Sequence, residues 1–114
     1  MRDERLYLED IIQASGMIAS FLSGISDEKW ADDEQLRSAV TYQLIVIGEA
    51  ASRVSLGLRG RHPEVPWPDV VAFRNFAVHA YFAMDPHIVW VTARADVPAL
   101  SAAVTEILRV DFPA

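Results

Sequence analysis

The chain has 114 residues, a formal net charge of −6 and 52% hydrophobic side chains, enough for one domain with a real core and some apolar surface left over for self-association. The negative charge argues against binding nucleic acid through bulk electrostatics. No cysteine is present, which excludes disulfides and thiolate metal sites and fits a reducing cytoplasm. The N-terminal run MRDERLYLED is charged and lacks the apolar core of a signal peptide, and no apolar run approaches the roughly 20 residues of a membrane span. A soluble, cytoplasmic protein without membrane association is expected.

In chain order, residues from about Glu4 to Leu22 carry Leu8, Ile11, Ile12, Ser15, Ile18, Ala19 and Leu22 on one stripe at helical spacing, and Gly24 follows as a stop. A short turn or helix near Ser26–Trp30 leads to Asp32 and Asp33, which suit an N-cap. A second long helix from about Glu34 to Ser55 places Leu36, Val40, Leu44, Ile47, Ala51 and Val54 at three- and four-residue steps. Gly48 in its middle costs about 1 kcal/mol against alanine, so it marks a close helix–helix contact. Residues 57–68, GLRGRHPEVPWP, read as a loop from two glycines and three prolines. A third helix is expected from about Asp69 to Phe82, and a fourth from the cap Asp85-Pro86 to about Arg94. Val97-Pro98 interrupts it, and a last helix runs from about Pro98 to Arg109. No period-two alternation survives, so the fold class is all-α, a four- to five-helix up-and-down bundle.

The third helix carries an unusual polar set within FRNFAVHAYF, residues 73–82. At about 100° per residue, Val70, Phe73, Phe76, Ala77 and Ala80 share an arc that should pack on the bundle. Val71, Val78 and Phe82 fall on a second apolar strip, bordered by Arg74 with Tyr81 on one side and by Asn75 with His79 on the other. A helix apolar on two sides is buried on two sides, and the simplest cover for the second strip is another copy of the chain. A homodimer, or a higher homo-oligomer, would bring both sets of polar residues into one shared groove. Each residue also has a plainer reading: a helical histidine is usually a surface or satisfied core residue, and an Arg–Tyr pair is usually a rim contact.

The stretch from Arg74 to Tyr81 resembles the Arg-x4-His-x-Tyr signature of HepT-like toxins of the HEPN superfamily. VIGEAASRVS (46–55), HPEVPWPDVVAFRN (62–75), MDPHIVW (84–90) and DVPAL (96–100) also look like segments of that family, so the resemblance spans roughly residues 5 to 110. It implies a single HEPN-like helical domain over residues 1–114, acting as a homodimer with the motif helices facing each other. It also implies metal-independent cleavage of an RNA substrate. The implied partner is an MntA-like nucleotidyltransferase antitoxin that transfers AMP from ATP onto the motif tyrosine, which here is Tyr81.

Metal-free RNA cleavage needs a base for the 2′-hydroxyl, an acid for the leaving 5′-oxygen and a cation over the phosphorane. Histidine titrates near neutrality, so His79 can serve as base or acid, and Arg74 supplies a fixed charge with fork geometry. Asn75 can orient the imidazole or the phosphate. No cofactor is called for. The three histidines, His62, His79 and His87, stand in no Glu-x-x-His or His-x-x-x-His pair, so a metal-dependent hydrolase fits poorly. His62 and His87 read as structural or surface residues, and Glu49 invites a general-base role but reads more plainly as the i,i+4 partner of Arg53. Arg53, Arg59 and Arg61 form a basic strip that fits weak phosphate contact with RNA or, equally, a solvated loop after a helix. A non-catalytic HEPN-like dimer that docks a nucleotidyltransferase is the alternative from another class. The net charge favours it, whereas the Arg74–His79 spacing favours the nuclease.

Overall fold

The computed structural model describes residues 3–113; Met1, Arg2 and Ala114, the ends of the expected domain, lie outside it. The described residues contain helices and turns and no strand. Helix α1 spans Glu4–Leu22, α2 Asp27–Asp32, α3 Glu34–Arg53, α4 Leu56–Arg61 and α5 Trp67–His79. A 3₁₀ turn at Tyr81–Ala83 follows α5, and then come α6 (Pro86–Val91), a π-helical turn (Thr92–Asp96) and α7 (Val97–Asp111). Helix α3 lies between α1 and α5, and α1 packs on its other side against α7.

Local chemistry sets these boundaries. Asp3, Ser26, Asp33, Ser55 and Asp85 each accept a hydrogen bond from a backbone N–H in the first turn of their helix. Beyond α1, Gly24 adopts φ +72°, a conformation that a side chain would strain. The core is built from the expected stripes: Leu8, Ile11, Ile18 and Leu22 of α1 meet Val40, Leu44, Ile47 and Ala51 of α3, with Leu100, Val104 and Ile107 of α7. Ala19, expected on the α1 stripe, is instead exposed. Trp30 and Trp90 pack with ring centroids 5.1 Å apart, and each indole N–H finds an acceptor, Pro86 O at 2.9 Å and Asp27 Oδ1 at 3.1 Å.

Three boundary expectations change. Residues 57–68 are not all loop: α4 forms despite its two glycines because Ser55 caps it and Leu58 is fully buried. Val97-Pro98 does not interrupt the last helix. The chain stays helical through the π turn, where the Val97 N–H bonds to Thr92 O, and the widened turn accommodates a proline that would crowd an α-helical one. Helix α5 ends at His79 rather than Phe82, and the chain tightens into the 3₁₀ turn. No helix among the described residues is long and apolar enough to cross a membrane.

Candidate functional site

Helix α5 is positioned by Trp67 and Ala77, both buried, with Val70, Val71 and Phe73 packed against the core from the same side. The Trp67 indole donates to His62 O at 3.1 Å and anchors the start of the helix. Two residues therefore exchange roles. Val71, assigned to the free strip, packs on the core, while Phe76, assigned to the bundle face, is 52% exposed. The reason is the roll of the helix: Arg74, not Phe76, faces α3. Asn75, Phe76, Val78 and His79 are left on the exposed side, and Phe82 beyond them is fully exposed.

The close approach of α5 to α3 occurs at Gly48. A Cβ placed there would stand 2.2 Å from Arg74 Cβ and 2.9 Å from Arg74 Cγ, so only glycine admits the arginine stem. The contact inferred from Gly48 in the sequence is this one. The guanidinium then lies beside the next residue of α3. Arg74 Nη2 pairs with Glu49 Oε2 at 3.0 Å, and Arg74 Nη1 donates to Asn75 Oδ1 at 2.8 Å. The other oxygen of Glu49 accepts from Arg53 Nη2 at 3.1 Å and Nε at 3.3 Å. Arg74 Nε is enclosed with no hydrogen-bond partner among the described residues.

His79 is the last residue of α5 and is exposed. Along the helix it lies about 7.5 Å and about 140° from Arg74, so the two occupy different sides of the element. Asn75 turns its carbonyl oxygen to Arg74 rather than to the imidazole. Tyr81 sits on the 3₁₀ turn, off the helical stripe of Arg74. Its hydroxyl is 3.0 Å from Ser38 Oγ, and its ring meets Phe82 edge-on at 5.5 Å. Ser38 and Glu49 are separated by about 16 Å along α3, so Tyr81 and Arg74 are anchored about three turns apart.

The basic strip is dispersed. Arg59 donates to Val54, Ala51 and Ser52 carbonyls at 3.0–3.1 Å and closes the C-terminus of α3. Arg53 pairs with Glu49, and Arg61 Nη2 lies 3.4 Å from Asp111 Oδ2. Sequence reasoning missed the neighbouring clamp: His62 Nε2 is 2.8 Å from Asp111 Oδ2 and Nδ1 is 3.0 Å from Glu64 Oε1. The Asp111 bond, followed by that of Glu64, raises the His62 pKa against its partial burial, and the same bond lowers that of Asp111. No spacing signal in the sequence pairs residues 62 and 111.

Concavity does not single out the site. A cleft of about 420 Å³ between α3, α5 and α7, lined by Leu44, Val70, Phe73 and Leu100, includes none of Arg74, His79 or Tyr81. Tyr81 and Phe82 instead border a groove of about 190 Å³ with Ser38, Thr41 and Trp30. No group of three or more His, Asp or Glu placed to hold a metal ion occurs among the described residues.

An all-α bundle that presents Arg74, Asn75 and His79 on one helix beside an uncovered apolar surface is the class of protein defined by this fold and site. Residues 11–107 match the family described as Ribonuclease HepT-like, and the chain belongs to that family. It is similar to "Probable ribonuclease HepT" of Thermococcus cleftensis, with 35% identity over 87% of this chain and 90% of that one. It is also similar to "Putative RNase TTE0752" of Caldanaerobacter subterraneus subsp. tengcongensis, with 34% identity over 96% and 97%, and to "Putative RNase MJ1380" of Methanocaldococcus jannaschii, with 31% over 87% and 91%. No solved structure matches.

Proposed function

We propose that this protein is the toxin of a toxin–antitoxin pair, a metal-independent endoribonuclease that acts as a homodimer and is silenced by AMP attached to Tyr81. The observation that carries the reading is the exposed end of α5 in a chain of this family: His79, Asn75, Phe76, Val78 and Phe82 lie open on and just beyond the helix that carries the Arg74 guanidinium, which is held in place from α3. A second copy covering the apolar side chains would place two His79 imidazoles at one groove. One imidazole takes the 2′-hydroxyl proton, and the 2′-oxygen attacks phosphorus. The bond to the 5′-oxygen breaks, and the other imidazolium protonates that oxygen. Arg74 offsets the charge of the phosphorane. The products are a 2′,3′-cyclic phosphate and a 5′-hydroxyl. Arg53 is the member of the basic strip nearest this network and contributes weak RNA contact; Arg59 and Arg61 act mainly on the fold.

Tyr81 is 43% exposed and gives up one surface hydrogen bond, to Ser38, when modified. Its oxygen attacks the α-phosphorus of ATP, pyrophosphate leaves, and the proton passes to solvent or to a base of the nucleotidyltransferase. The added AMP brings bulk and a negative phosphodiester to the edge of the apolar strip, where it obstructs the groove and repels an RNA backbone. Obstruction at Phe82, rather than direct competition for Arg74 in the same protomer, suits the position of the tyrosine. The pairing of Arg74 with Glu49 favours the docking-module reading to one degree: part of the cation is already neutralised.

The test is RNA digestion by purified protein with and without EDTA. Wild type is expected to cut in both, and His79→Ala and Arg74→Ala should lose about 10²–10⁴-fold activity with unchanged helical circular dichroism. Coexpressed with its nucleotidyltransferase, the protein should gain whole AMP masses on Tyr81 and none in Tyr81→Phe. Chelator-sensitive cutting, or full activity in His79→Ala, excludes the mechanism. A wild type that binds the nucleotidyltransferase and cuts nothing is the docking module.

A further inference from the structure

Arginine at a phosphate site is useful only if its fork is held in one orientation, because a freely rotating guanidinium loses side-chain entropy each time it engages substrate. Arg74 is held by a two-residue seat on α3. Gly48 removes the side chain that would collide with the arginine stem, and Glu49 takes the head at 3.0 Å. The carboxylate is shared: one oxygen serves Arg74 and the other Arg53, so Glu49 sits between two cations that fix its rotamer. Asn75 closes the opposite side of the guanidinium at 2.8 Å. With the side chain still 30% exposed, the remaining N–H groups of the two terminal nitrogens are the ones left to meet a ligand. Nothing in the Arg-x4-His spacing contains Glu49, and its i,i+4 relation to Arg53 disguises it as an ordinary helix pair.

We propose that Glu49 is a positioning residue for RNA cleavage, acting through Arg74 by holding its guanidinium in the orientation that receives the scissile phosphate. The inference rests on the nuclease reading above. Glu49 touches neither the sugar nor the leaving group; its effect is on the geometry of the cation in the transition state. Loss of the carboxylate therefore lowers kcat with little change in KM, because the weak ground-state contact tolerates a mobile arginine and the phosphorane does not.

The experiment compares wild type, Glu49→Gln, Glu49→Asp, Arg74→Lys and Glu49→Gln/Arg74→Lys on a short single-stranded RNA. Glu49→Gln is expected to lose about 10- to 100-fold in kcat with KM within about threefold, and Glu49→Asp to recover part of the loss. In the Arg74→Lys background Glu49→Gln should add much less, since both changes act on one interaction. A Glu49→Gln enzyme with wild-type kcat, a change confined to KM, or full additivity in the double variant overturns the proposal. The nitrogen-15 spectrum of the arginine side chains gives a readout independent of cleavage. The two terminal nitrogens of Arg74 should be resolved in wild type and merge through fast rotation in Glu49→Gln. If wild type cuts no RNA, the nuclease reading falls, and this spectrum alone judges the seat: the same averaged signal in wild type and variant would overturn it.

Discussion

Two charge networks in this molecule have almost the same composition and opposite character. In one, Glu49 joins Arg74 to Arg53, and Arg74 continues to Asn75. In the other, Asp111 joins Arg61 to His62, and His62 continues to Glu64. Each ties distant parts of the chain together, α3 to α5 in the first case and the end of α4 to the end of α7 in the second. The second closes on itself, because both ring nitrogens of His62 face carboxylates and its side chain is only 15% exposed. The first stays open. The Arg74 side chain keeps 30% of its surface exposed, and Phe76, Val78 and His79 lie uncovered elsewhere on the same helix. Ion pairs by themselves do not mark a site. Donors left over beside uncovered apolar surface do, since both invite something from outside the chain.

The strongest way to break this comparison is to deny the open network its cover. Val78→Glu puts an unpaired charge into the proposed seam between copies and should weaken the proposed dimer by at least about 100-fold in sedimentation velocity, with RNA cutting falling alongside. A dimer as tight as wild type would place the seam elsewhere. A smaller effect is expected at the seat of Arg74. Gly48→Ala forces a methyl group to 2.2 Å from Arg74 Cβ, close to the backbone where little can yield. It should destabilise the fold by about 1–3 kcal/mol in denaturant unfolding, although alanine is the better helix former by about 1 kcal/mol. Unchanged stability would mean that α3 and α5 separate there at no cost.

The closed network supplies the smallest effect and the sharpest contrast. The His62 pKa is raised in the folded protein, so its stabilising contribution is complete below the ordinary histidine value of about 6.5 and is lost as pH rises through the higher folded value. Asp111 has a lowered pKa, so its contribution is present above the ordinary aspartate range and is lost as pH falls through the lower folded value. Between pH 6 and 8 the Tm of wild type should therefore fall relative to that of His62→Gln by no more than about 4 °C. RNA cutting by His62→Gln at pH 6 should match wild type. A loss of cutting there would show that the two networks are one.

How much of this was legible beforehand differs from element to element. Helices α1 and α3 follow from stripes such as Leu8-Ile11-Ile18 and Val40-Leu44-Ile47, because a buried face repeats at the helical period. Gly48 could be read as a close contact, since a glycine in mid-helix costs stability that a close approach can repay. Helix α4 could not: its two glycines argue for a loop, and the burial of Leu58 together with the Ser55 cap overrides them. The end of α5 was also hidden. Nothing between His79 and Phe82 breaks a helix locally, and the chain turns there to bring the Tyr81 hydroxyl to Ser38.

For the site, the sequence by itself determined which residue types are present and that Arg74, Asn75 and His79 share one helix, because covalent spacing and the helical period are local properties. Only the tertiary structure decided how that helix is rolled. Its roll is set by Trp67, Ala77 and the missing side chain of Gly48, each acting between elements distant in the chain. That roll turns Arg74 onto Glu49, exposes Phe76 and covers Val71. Periodicity can assign residues to faces of a helix, but the side that meets the core is fixed by the fit of one surface against another.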